Sequence, residues 1–416
     1  MCRFSSWSCV VSLAFACLLN SLFARRSACR FQVRYRINAG GSLERHSQRA
    51  AGFGPRAAPH DRRRAARAPG VNAAGAQRTH RRSLLPAAAC VAGGLVSACQ
   101  RPPTPIQTIV VYTSVDQEFA QQILRRFEQQ TGVRIAAVYD TEAGKTTGLM
   151  RRLQREAEHP RCDVWWSSEV FGTIELARAG LLEPYDSPAA ADIPSAWRDP
   201  QRQWTALAAR ARVLAYHSGR VPAEELPETW EDMTLLLKHK RVVLANPQFG
   251  TTRGHVAALF NCWGAQRSTQ FLQQLREAGV QLADGNAHAV RLVEAGSADA
   301  CWTDTDDVWA AQRRGVPLEL IYPRIEPGGP VIWIPCSVAL VRGGPSPAAA
   351  RKLIDFLLSR PVEQALAESD SRNVPVREEL RRGLGLAGPQ PQALNFEQIA
   401  DAMPAAMQAA RDILLR

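Results

Sequence analysis

The sequence predicts an α/β fold with a mainly parallel sheet. Short apolar runs such as residues 108–112 and 163–166 are typical of buried parallel strands. Segments whose apolar residues recur at helical spacing follow them, and Gly132 and Gly180 stand where two of these helices end. Because strands that alternate with helices form right-handed βαβ units, we expect the strands to lie parallel in one sheet.

The predicted elements run in order along the chain. The first strands cover residues 108–112, 133–139 and 163–166; helices cover residues 116–130 and 147–158, and a third helix ends at residue 179. Later strands are expected at residues 204–216, 242–247 and 332–340 and from residue 300, with helices at residues 250–260, 271–278, 287–294 and 346–359.

Polar turns follow the first three strands. In open α/β sheets, ligands bind beyond the carboxyl ends of the strands, so side chains in these turns are candidate binding groups. The candidates are Ser114, Asp116, Glu142, Ser167, Ser168 and Glu169.

An acidic stretch at residues 300–308 has the strongest local signal. An apolar strand end runs there into Thr303, Asp304, Thr305, Asp306 and Asp307. Three carboxylates and two hydroxyls beside a buried run are costly unless something binds to them. Asp and Thr also favour turns and helix N-caps, so a purely structural role is the alternative.

A second candidate site lies at a predicted helix start. Gly250, Thr251 and Thr252 would present free N–H groups and hydroxyls to an anion, although an ordinary threonine N-cap is the alternative. Arg210 and Arg212 share one face of a predicted strand. A guanidinium there can hold a carboxylate or phosphate bidentately, or can form a salt bridge of little energetic consequence.

The charge distribution argues against nucleic-acid binding. The net charge of +12 is confined to residues 1–99, which hold 16 arginines and 2 acidic residues, whereas the remainder holds 35 basic and 37 acidic residues. No basic stripe is evident in that nearly neutral remainder, so we expect no nucleic-acid partner.

The first 106 residues resemble export and tethering segments. Residues 78–99 resemble a lipoprotein signal, because Arg81 and Arg82 precede an apolar run that closes with the lipobox-like residues 95–99, and Cys99 would be lipidated. A small-residue helix end with a chance cysteine is the alternative, and either Sec or twin-arginine export fits. We expect residues 1–77 to be a disordered or spurious leader, and residues 100–106 to be a tether.

The chain from about residue 107 to residue 380 resembles a known family. Residues 111–114, 127–133, 163–169 and 179–182 are similar, in order and spacing, to the substrate-binding proteins of bacterial ABC importers, in the branch containing the periplasmic ferric-ion-binding proteins. The resemblance implies a two-lobe periplasmic-binding-protein-like fold of type II.

This fold carries expectations for the lobes. Two crossover strands, residues 204–216 and 332–340, would form the hinge. Residues 107–210 and 316–416 would form lobe 1, with the C-terminal helix packed on it, and residues 211–315 would form lobe 2.

The resemblance also implies a ligand set that this sequence only partly keeps. Iron-binding relatives hold ferric ion with a His and a Glu from lobe 1 and two adjacent Tyr from lobe 2. Asp116 falls at the His, Ser168 at the Glu with Glu169 beside it, and Thr305 and Asp306 at the Tyr pair. The anion-binding half is closer to the family pattern. Its matching residues are Gly250, Thr251, Asn286, Arg210 and Arg212, with Asp304 in place of another Asn.

Two ligands therefore remain open. Asp116, Glu169, Asp304 and Asp306 can form an all-oxygen site for ferric ion or another hard cation, with or without a partner anion. Alternatively, a small organic anion such as a phosphonate or sugar phosphate binds without iron. Its ligands would be Thr251, Thr252, Asn286, Arg210 and the Ser and Thr hydroxyls.

We expect a binding protein and not an enzyme, because the sequence shows no nucleophile triad, P-loop or dinucleotide motif. No resident cofactor is expected. The expected partners are an ABC permease with its ATPase, and a small solute. The protein itself is expected to be a lipid-anchored monomer in the periplasm or cell envelope.

Cys262 and Cys301 can pair in that oxidising compartment, or serve as small buried hydrophobes. The histidines, His255 among them, are expected mostly at the surface.

Overall fold

The computed structural model describes residues 107–140, 144–386 and 388–416. The strands are β1 (Thr108–Thr113), β2 (Arg134–Tyr139), β3 (Val164–Ser167), β4 (Leu182–Glu183), β5 (Thr205–His217), β6 (Val242–Ala245), β7 (Gln281–Ala283), β8 (Ala300–Asp304), β9 (Leu318–Ile321) and β10 (Trp333–Val341). The helices are α1 (Gln117–Thr131), α2 (Thr147–Arg155), α3 (Phe171–Arg178), α4 (Met233–Leu236), α5 (Gly250–Trp263), α6 (Ala265–Glu277), α7 (Asn286–Glu294), α8 (Thr305–Arg313), α9 (Pro347–Leu357), α10 (Arg360–Glu368), α11 (Glu378–Gly383) and α12 (Phe396–Leu414). Over these described segments, no helix is both long and apolar enough to cross a membrane.

Local sequence accounts for the first of these elements. Helix α1 buries Ile123, Leu124 and Phe127 on one face, which is the spacing that packs a helix on a sheet. It ends at Gly132, whose φ of 69° allows its N–H to bond the carbonyl of Glu128 at 2.8 Å. All four residues of β3 are buried, as expected for a parallel strand covered on both faces.

The sheet runs in the order β2-β1-β3-β10-β5-β8-β6-β7, with β4 added to β10 and β9 to β5. Strands β1, β2 and β3 are parallel, whereas β10 is antiparallel to both β3 and β5. Beyond β5, β8 is antiparallel to it, and β6 is parallel to both β8 and β7. Two α/β halves are thus joined through β5 and β10.

Strand β5 is shared between these halves. Its first half pairs with β10 up to Ala211, which lies opposite Trp333, and its second half pairs with β8 from Arg212, which lies opposite Asp304. The two long strands are the predicted crossover strands, and the two-lobe fold of type II is confirmed. We call the half with β1–β4 lobe 1 and the half with β6–β9 lobe 2.

The lobe assignment of residues 316–416 needs one correction. Strand β9 falls in this predicted lobe 1 segment, yet it pairs with the second half of β5, with Ile321 opposite Leu214 and Leu318 opposite His217. That half of β5 would otherwise leave backbone groups unpaired along this edge. The chain therefore returns to lobe 1 only with β10.

The C-terminal helix α12 was predicted to pack on lobe 1, and this is only partly right. At its start, Phe396 packs against Trp197 with the rings tilted and their centroids 5.8 Å apart. Farther along, the backbone carbonyl of Met407 accepts a hydrogen bond from Gln248 at 3.0 Å, and that of Ile413 accepts one from Arg276 at 2.9 Å. The helix thus spans both lobes, because its apolar face continues for 19 residues.

The candidate disulfide between Cys262 and Cys301 does not form in this structure. Cys262 is exposed on α5, whereas Cys301 is fully buried in β8, and both are free thiols. Burial raises the pKa of the Cys301 thiol, which leaves it an inert core residue.

Candidate functional site

A cavity lies between the two lobes at the carboxyl ends of their strands. Lobe 1 and β5 contribute Lys145, Ser168 and Arg210 to its lining, and the rest comes from lobe 2. Its free volume is about 20 Å³, enough for about one water-sized ligand in this closed arrangement. The lobe 2 lining consists of Ala245, Asn246, Phe249, Gly250, Thr251, Thr252, Asp284, Gly285, Asn286, Asp304 and Asp307.

Asp304 accepts three hydrogen bonds at the centre of the site. It ends β8 and is fully buried. Its Oδ1 accepts a hydrogen bond from Arg212 Nη1 at 2.7 Å, and its Oδ2 accepts from Thr251 Oγ1 at 2.7 Å and Asn286 Nδ2 at 2.9 Å. Burial alone would raise the pKa of Asp304, but Arg212 and Arg210 outweigh it and hold the pKa below its usual value. Asp304 is therefore a charged carboxylate, and hydrogen bonds from protein groups take the place of water around it.

Asp306 differs from Asp304 because only one of its oxygens is bonded. Arg210 Nη1 donates to Asp306 Oδ2 at 2.8 Å, while Arg210 Nη2 donates across the cleft to the carbonyl of Ser168 at 2.6 Å. Asp306 Oδ1 is buried and has no hydrogen-bond partner within the described residues. Burial raises the pKa of Asp306 and the Asp304 charge adds to this, against the opposing effect of Arg210.

Asp304, Asp306 and Asp307 form an acidic cluster. One carboxylate oxygen from each lies within 4.8 Å of the other two. Two oxygens on opposite sides of a hard cation, each about 2.4 Å away, span this distance. Asp307 accepts a hydrogen bond from Thr303 Oγ1 at 2.7 Å, and its burial together with the charges of Asp306 and Asp304 raises its pKa well above the usual value. The three carboxyl groups therefore lie close enough for their charges to interact strongly.

The lobe 1 wall of the cleft is made of hydroxyl groups. Ser114 Oγ lies 3.2 Å from Ser168 Oγ and 3.3 Å from Ser167 Oγ, and it accepts a hydrogen bond from Thr146 Oγ1 at 3.1 Å. Thr146 has a φ of 69°, a conformation that β-branched residues rarely adopt. These buried hydroxyls bond one another, so this wall carries polar groups without net charge.

One ion pair flanks this wall. Lys145 Nζ lies 2.6 Å from Asp116 Oδ1, and its backbone carbonyl accepts a hydrogen bond from the N–H of Gly250 at 3.3 Å. Burial raises the pKa of Asp116, but the Lys145 ammonium more than compensates and brings it below its usual value. Lys145 thereby places a positive charge on the lobe 1 side and touches the α5 N-terminus of lobe 2.

His255 supports the arginine beneath Asp304. The ring is fully buried between Trp230, with centroids 4.1 Å apart, and Trp302, with centroids 4.9 Å apart. Its Nδ1 accepts a hydrogen bond from Arg212 Nε at 3.3 Å. Burial and the neighbouring Arg212 charge lower the pKa of His255 well below its usual value. His255 is an exception to the expectation that most histidines lie at the surface, because α5 turns this face into the lobe 2 core.

Direct contacts also close the lobes on each other. A Cβ atom at Gly254 of α5 would lie 2.2 Å from Phe171 Cε2 of α3, so only glycine fits at this approach. Next to it, Arg253 Nη1 lies 3.0 Å from Glu175 Oε1. Helices α3 and α5 therefore form a closely packed contact between the lobes.

Comparison with known proteins assigns the family. The profile described as bacterial extracellular solute-binding protein matches residues 109–369. The chain belongs to this family. This confirms the resemblance to the substrate-binding proteins of ABC importers, in the branch with ferric-ion-binding members. The chain is a periplasmic substrate-binding protein for ABC import.

Three curated relatives illustrate the range of this family. The chain is 24% identical to iron uptake protein A1 of Synechocystis sp., over 67% of this chain and 81% of the relative. It is 24% identical to the major ferric iron-binding protein of Neisseria meningitidis serogroup B, over 65% and 82%. It is also 24% identical to a putative 2-aminoethylphosphonate-binding periplasmic protein of Salmonella typhi, over 68% and 84%.

Solved structures share the fold of this solute-binding protein. Iron-bound HitA from Pseudomonas aeruginosa superposes with a TM-score of 0.64 at 21% identity, covering 74% of this chain and 99% of HitA. AfuA from Actinobacillus pleuropneumoniae, with fructose-6-phosphate bound, superposes with a TM-score of 0.63 at 18% identity and the same coverage. At these identities the likeness establishes the fold and leaves the ligand open.

Most of the predicted site residues come together in the solute-binding protein. Seven of them line the cavity, and Ser114, Thr305 and Asp306 lie directly behind that lining. Glu142 and Cys99 lie outside the described residues. The seven are Ser168, Arg210, Gly250, Thr251, Thr252, Asn286 and Asp304.

Glu169 does not support its predicted role as a ligand. It is fully buried, and its carboxylate accepts backbone hydrogen bonds from Phe171 at 2.5 Å and Gly172 at 3.0 Å. These N–H groups are unpaired at the start of α3, so Glu169 caps that helix and points away from the cavity. Ser167 likewise turns inward, bonding the Glu169 N–H at 3.2 Å.

Three site residues were missing from the predicted set. Lys145 lies in the polar turn after β2, and no pattern around it distinguishes it from an ordinary surface lysine. Asp307 belonged to the acidic stretch, and its cluster with Asp304 and Asp306 follows from their positions at a strand end and a first helical turn. Arg253 lies four residues into α5, and only the approach of α3 shows that it bridges the lobes.

Proposed function

We propose that this substrate-binding protein captures a hard cation in the interlobe cleft, with ferric ion the first candidate. One observation carries the proposal: Asp306, one of three clustered carboxylates, has a buried Oδ1 without a hydrogen-bond partner in the described chain. An unpaired buried acceptor is costly unless a ligand completes it. A hard cation bound by oxygen ligands is such a ligand.

The charges around the cluster support a cation. Arg212 neutralises Asp304, and Arg210 neutralises Asp306 at one oxygen. Asp307 has a hydroxyl partner, Thr303, and lines the cavity directly. The three carboxylates and two guanidiniums leave a negative charge, which favours a cation bound between Asp306 and Asp307, whereas an added anion would meet three carboxylates.

Ferric ion comes first among hard cations because two relatives are named for iron uptake and ferric iron binding. Oxygen ligands suit this ion, although Thr305 and Asp306 stand where the resemblance expects the tyrosine pair. We propose that the carboxylates replace the phenolates, that the cation leaves unchanged to an ABC permease driven by its ATPase, and that the protein acts as a monomer without a resident cofactor.

A thermal-shift titration of the purified protein tests this function. Ferric nitrilotriacetate, Tb³⁺, Ca²⁺ and Mn²⁺ are each added to the wild type, to Asp306→Asn and to Asp307→Asn. At 100 times its dissociation constant, a bound cation stabilises the protein by about 2.7 kcal/mol. We expect a rise in melting temperature with at least one cation for the wild type, lost in both variants. Asp370→Asn, which changes an exposed carboxylate outside the cleft, is the matched control.

A second candidate ligand is a small organic anion that carries an amino or hydroxyl group. The observation favouring it is that Lys145 and Ser168 face the α5 N-terminus in the same cavity, where a phosphonate or phosphate would find donors. Relatives named for 2-aminoethylphosphonate binding and solved with fructose-6-phosphate fit this chemistry. Stabilisation by either compound in metal-free buffer, lost on Lys145→Ala, would favour this ligand over the cation.

We also propose that the protein is lipid-anchored at Cys99 in the envelope. The lipobox-like residues 95–99 support this, and they lie outside the described part of the chain. We expect Cys99→Ser to move the expressed protein from the membrane fraction to the soluble periplasmic fraction. An unchanged distribution on fractionation would contradict the anchor.

A further inference from the structure

We infer that Asp304 is a built-in anion: its carboxylate occupies an anion-binding site of the cleft, so the cation binds without a free anion beside it. This inference rests on the proposed cation-binding function. It adds that the site accepts a cation alone and not a cation with a free anion. It also makes Asp304 a specificity-determining residue.

The first argument is the origin of the donors around Asp304. Thr251 lies in the first turn of α5, Asn286 is the first residue of α7, and Arg212 comes from the middle of β5. Two helix N-termini and a guanidinium that converge on one point form a typical site for a small oxyanion. In this chain, the side chain at the end of β8 fills that site.

The second argument is how completely the donors are used. Arg212 Nη1, Thr251 Oγ1 and Asn286 Nδ2 all point to Asp304 at 2.7–2.9 Å, and Arg210 Nη1 lies 3.4 Å from Asp304 Oδ2. A carboxylate offers about four acceptor positions, so few remain for another donor. A free anion would have to displace a fully buried, covalently tethered carboxylate. Tethering removes the entropy cost that a free anion pays on binding.

Asp304 also lies next to the carboxylates that we propose as cation ligands. Asp304, Asp306 and Asp307 each place one carboxylate oxygen within 4.8 Å of the others, and Arg210 Nη1 lies 2.8 Å from Asp306 Oδ2 and 3.4 Å from Asp304 Oδ2. Asp304 therefore places a tethered negative charge beside Asp306 and Asp307. A free anion bound by the same donors would place its charge at the same point.

The test compares cation affinity with and without a free anion. Tb³⁺ binding to the wild-type protein is measured by isothermal titration in an anion-poor buffer and again with added formate. We expect the two dissociation constants to agree within about twofold, since the donors are already occupied. A wild-type protein that binds Tb³⁺ only with formate, or about tenfold more tightly with it, would overturn the inference.

A rescue experiment tests the same site from the other direction. Asp304→Ala opens the donor site, so formate should raise its melting temperature and restore Tb³⁺ affinity lost by about tenfold or more. Adding Thr251→Val to this variant removes one donor and should weaken the rescue. Absence of rescue in a folded Asp304→Ala protein would contradict the inference, and if that variant does not fold, the wild-type comparison still decides.

The outcomes separate this inference from the proposed function. If formate stabilises Asp304→Ala but no cation binds to the wild type, Asp304 is a built-in anion in a protein with another ligand, and the cation function fails. If the wild type binds a cation only together with formate, the function stands and the inference fails.

Discussion

The two walls of the cleft solve the burial of polar groups in different ways. On the lobe 1 wall, Ser114, Thr146 and Ser168 bond one another and stay neutral. On the lobe 2 wall, buried carboxylates face buried guanidiniums, and the balance is incomplete at Asp306. Neutral hydroxyls can rearrange around many ligands, whereas buried charges need a defined partner. Under the proposed function, lobe 2 therefore sets what the cleft binds, and lobe 1 mainly covers it.

The largest effect is expected from breaking the charge balance of lobe 2. Arg212→Ala would remove the closer of the two guanidiniums that compensate the buried Asp304 charge, so we expect a loss of about 3–5 kcal/mol in the free energy of unfolding, measured with urea. Removing both partners in Arg212→Ala/Asp304→Ala should cost less than the two single changes added together.

An exposed pair provides the control for this prediction. Arg313 and Asp370 lie 2.8 Å apart on the surface, and Arg313→Ala should cost less than about 1 kcal/mol. Equal losses for the two arginines would contradict the view that the lobe 2 wall depends on internal charge balance.

Substitutions on the two walls should differ in their effect on Tb³⁺ affinity. We expect Asp306→Ala and Asp307→Ala to weaken Tb³⁺ binding by about 100-fold or more, because each removes a charged oxygen ligand. Ser168→Ala on the opposite wall should weaken it by less than about tenfold, since a neutral hydroxyl is lost. Isothermal titration measures both, and a larger effect of Ser168→Ala would reverse the assignment of the walls.

The contact that brings the walls together gives a smaller effect. Gly254→Ala would place a methyl group 2.2 Å from Phe171 Cε2, so closure should cost about 1–3 kcal/mol. With ligand present, we expect small-angle X-ray scattering to give Gly254→Ala a larger radius of gyration than the wild type. Adding Phe171→Leu should remove the clash and restore the wild-type value. Gly383→Ala, where the new Cβ meets no atom within 4 Å, is the control, and an equal response there would argue against the contact.

The smallest effect is a pH dependence beneath the lobe 2 wall. His255 has a folded-state pKa well below 6.5, since burial and Arg212 favour its neutral form. The unfolded chain therefore binds more protons at His255 below about pH 6.5, and the His255 contribution to stability falls as the pH is lowered through this range, by at most about 1.4 kcal/mol per unit. The raised pKa values of Asp306 and Asp307 act in the opposite direction. His255→Gln should remove the His255 contribution from the slope in urea unfolding between pH 7 and pH 5. Exposed His239→Gln should leave it unchanged, and a slope that persists in His255→Gln would assign the effect to another group.

Part of the fold was predictable from local patterns and part from the family resemblance. Strands β1 and β3 follow from short apolar runs, which signal burial without tertiary information. The crossover strands that the resemblance implies at residues 204–216 and 332–340 occur at Thr205–His217 and Trp333–Val341. Where α12 and β9 pack was not predictable in this way, because both depend on surfaces built by distant parts of the chain.

The sequence indicated which residues belong to the site, but not which of them contact one another. Thr251, Asn286 and Asp304 were each expected near a ligand, yet their convergence joins residues 53 and 18 positions apart through tertiary contacts. Glu169 was expected near a ligand but has a local role. An acidic residue after a strand can bind a ligand or cap the next helix, and the two roles have the same sequence pattern; here it caps α3.

The most direct test of cation capture is the anomalous difference density of crystals grown with Tb³⁺. We predict one strong peak in the cleft, about 2.3–2.6 Å from carboxylate oxygens of Asp306 and Asp307 and facing Asp304. A cleft with no peak, or a peak at Asp116 away from the acidic cluster, would contradict the central claim that the lobe 2 wall binds a hard cation.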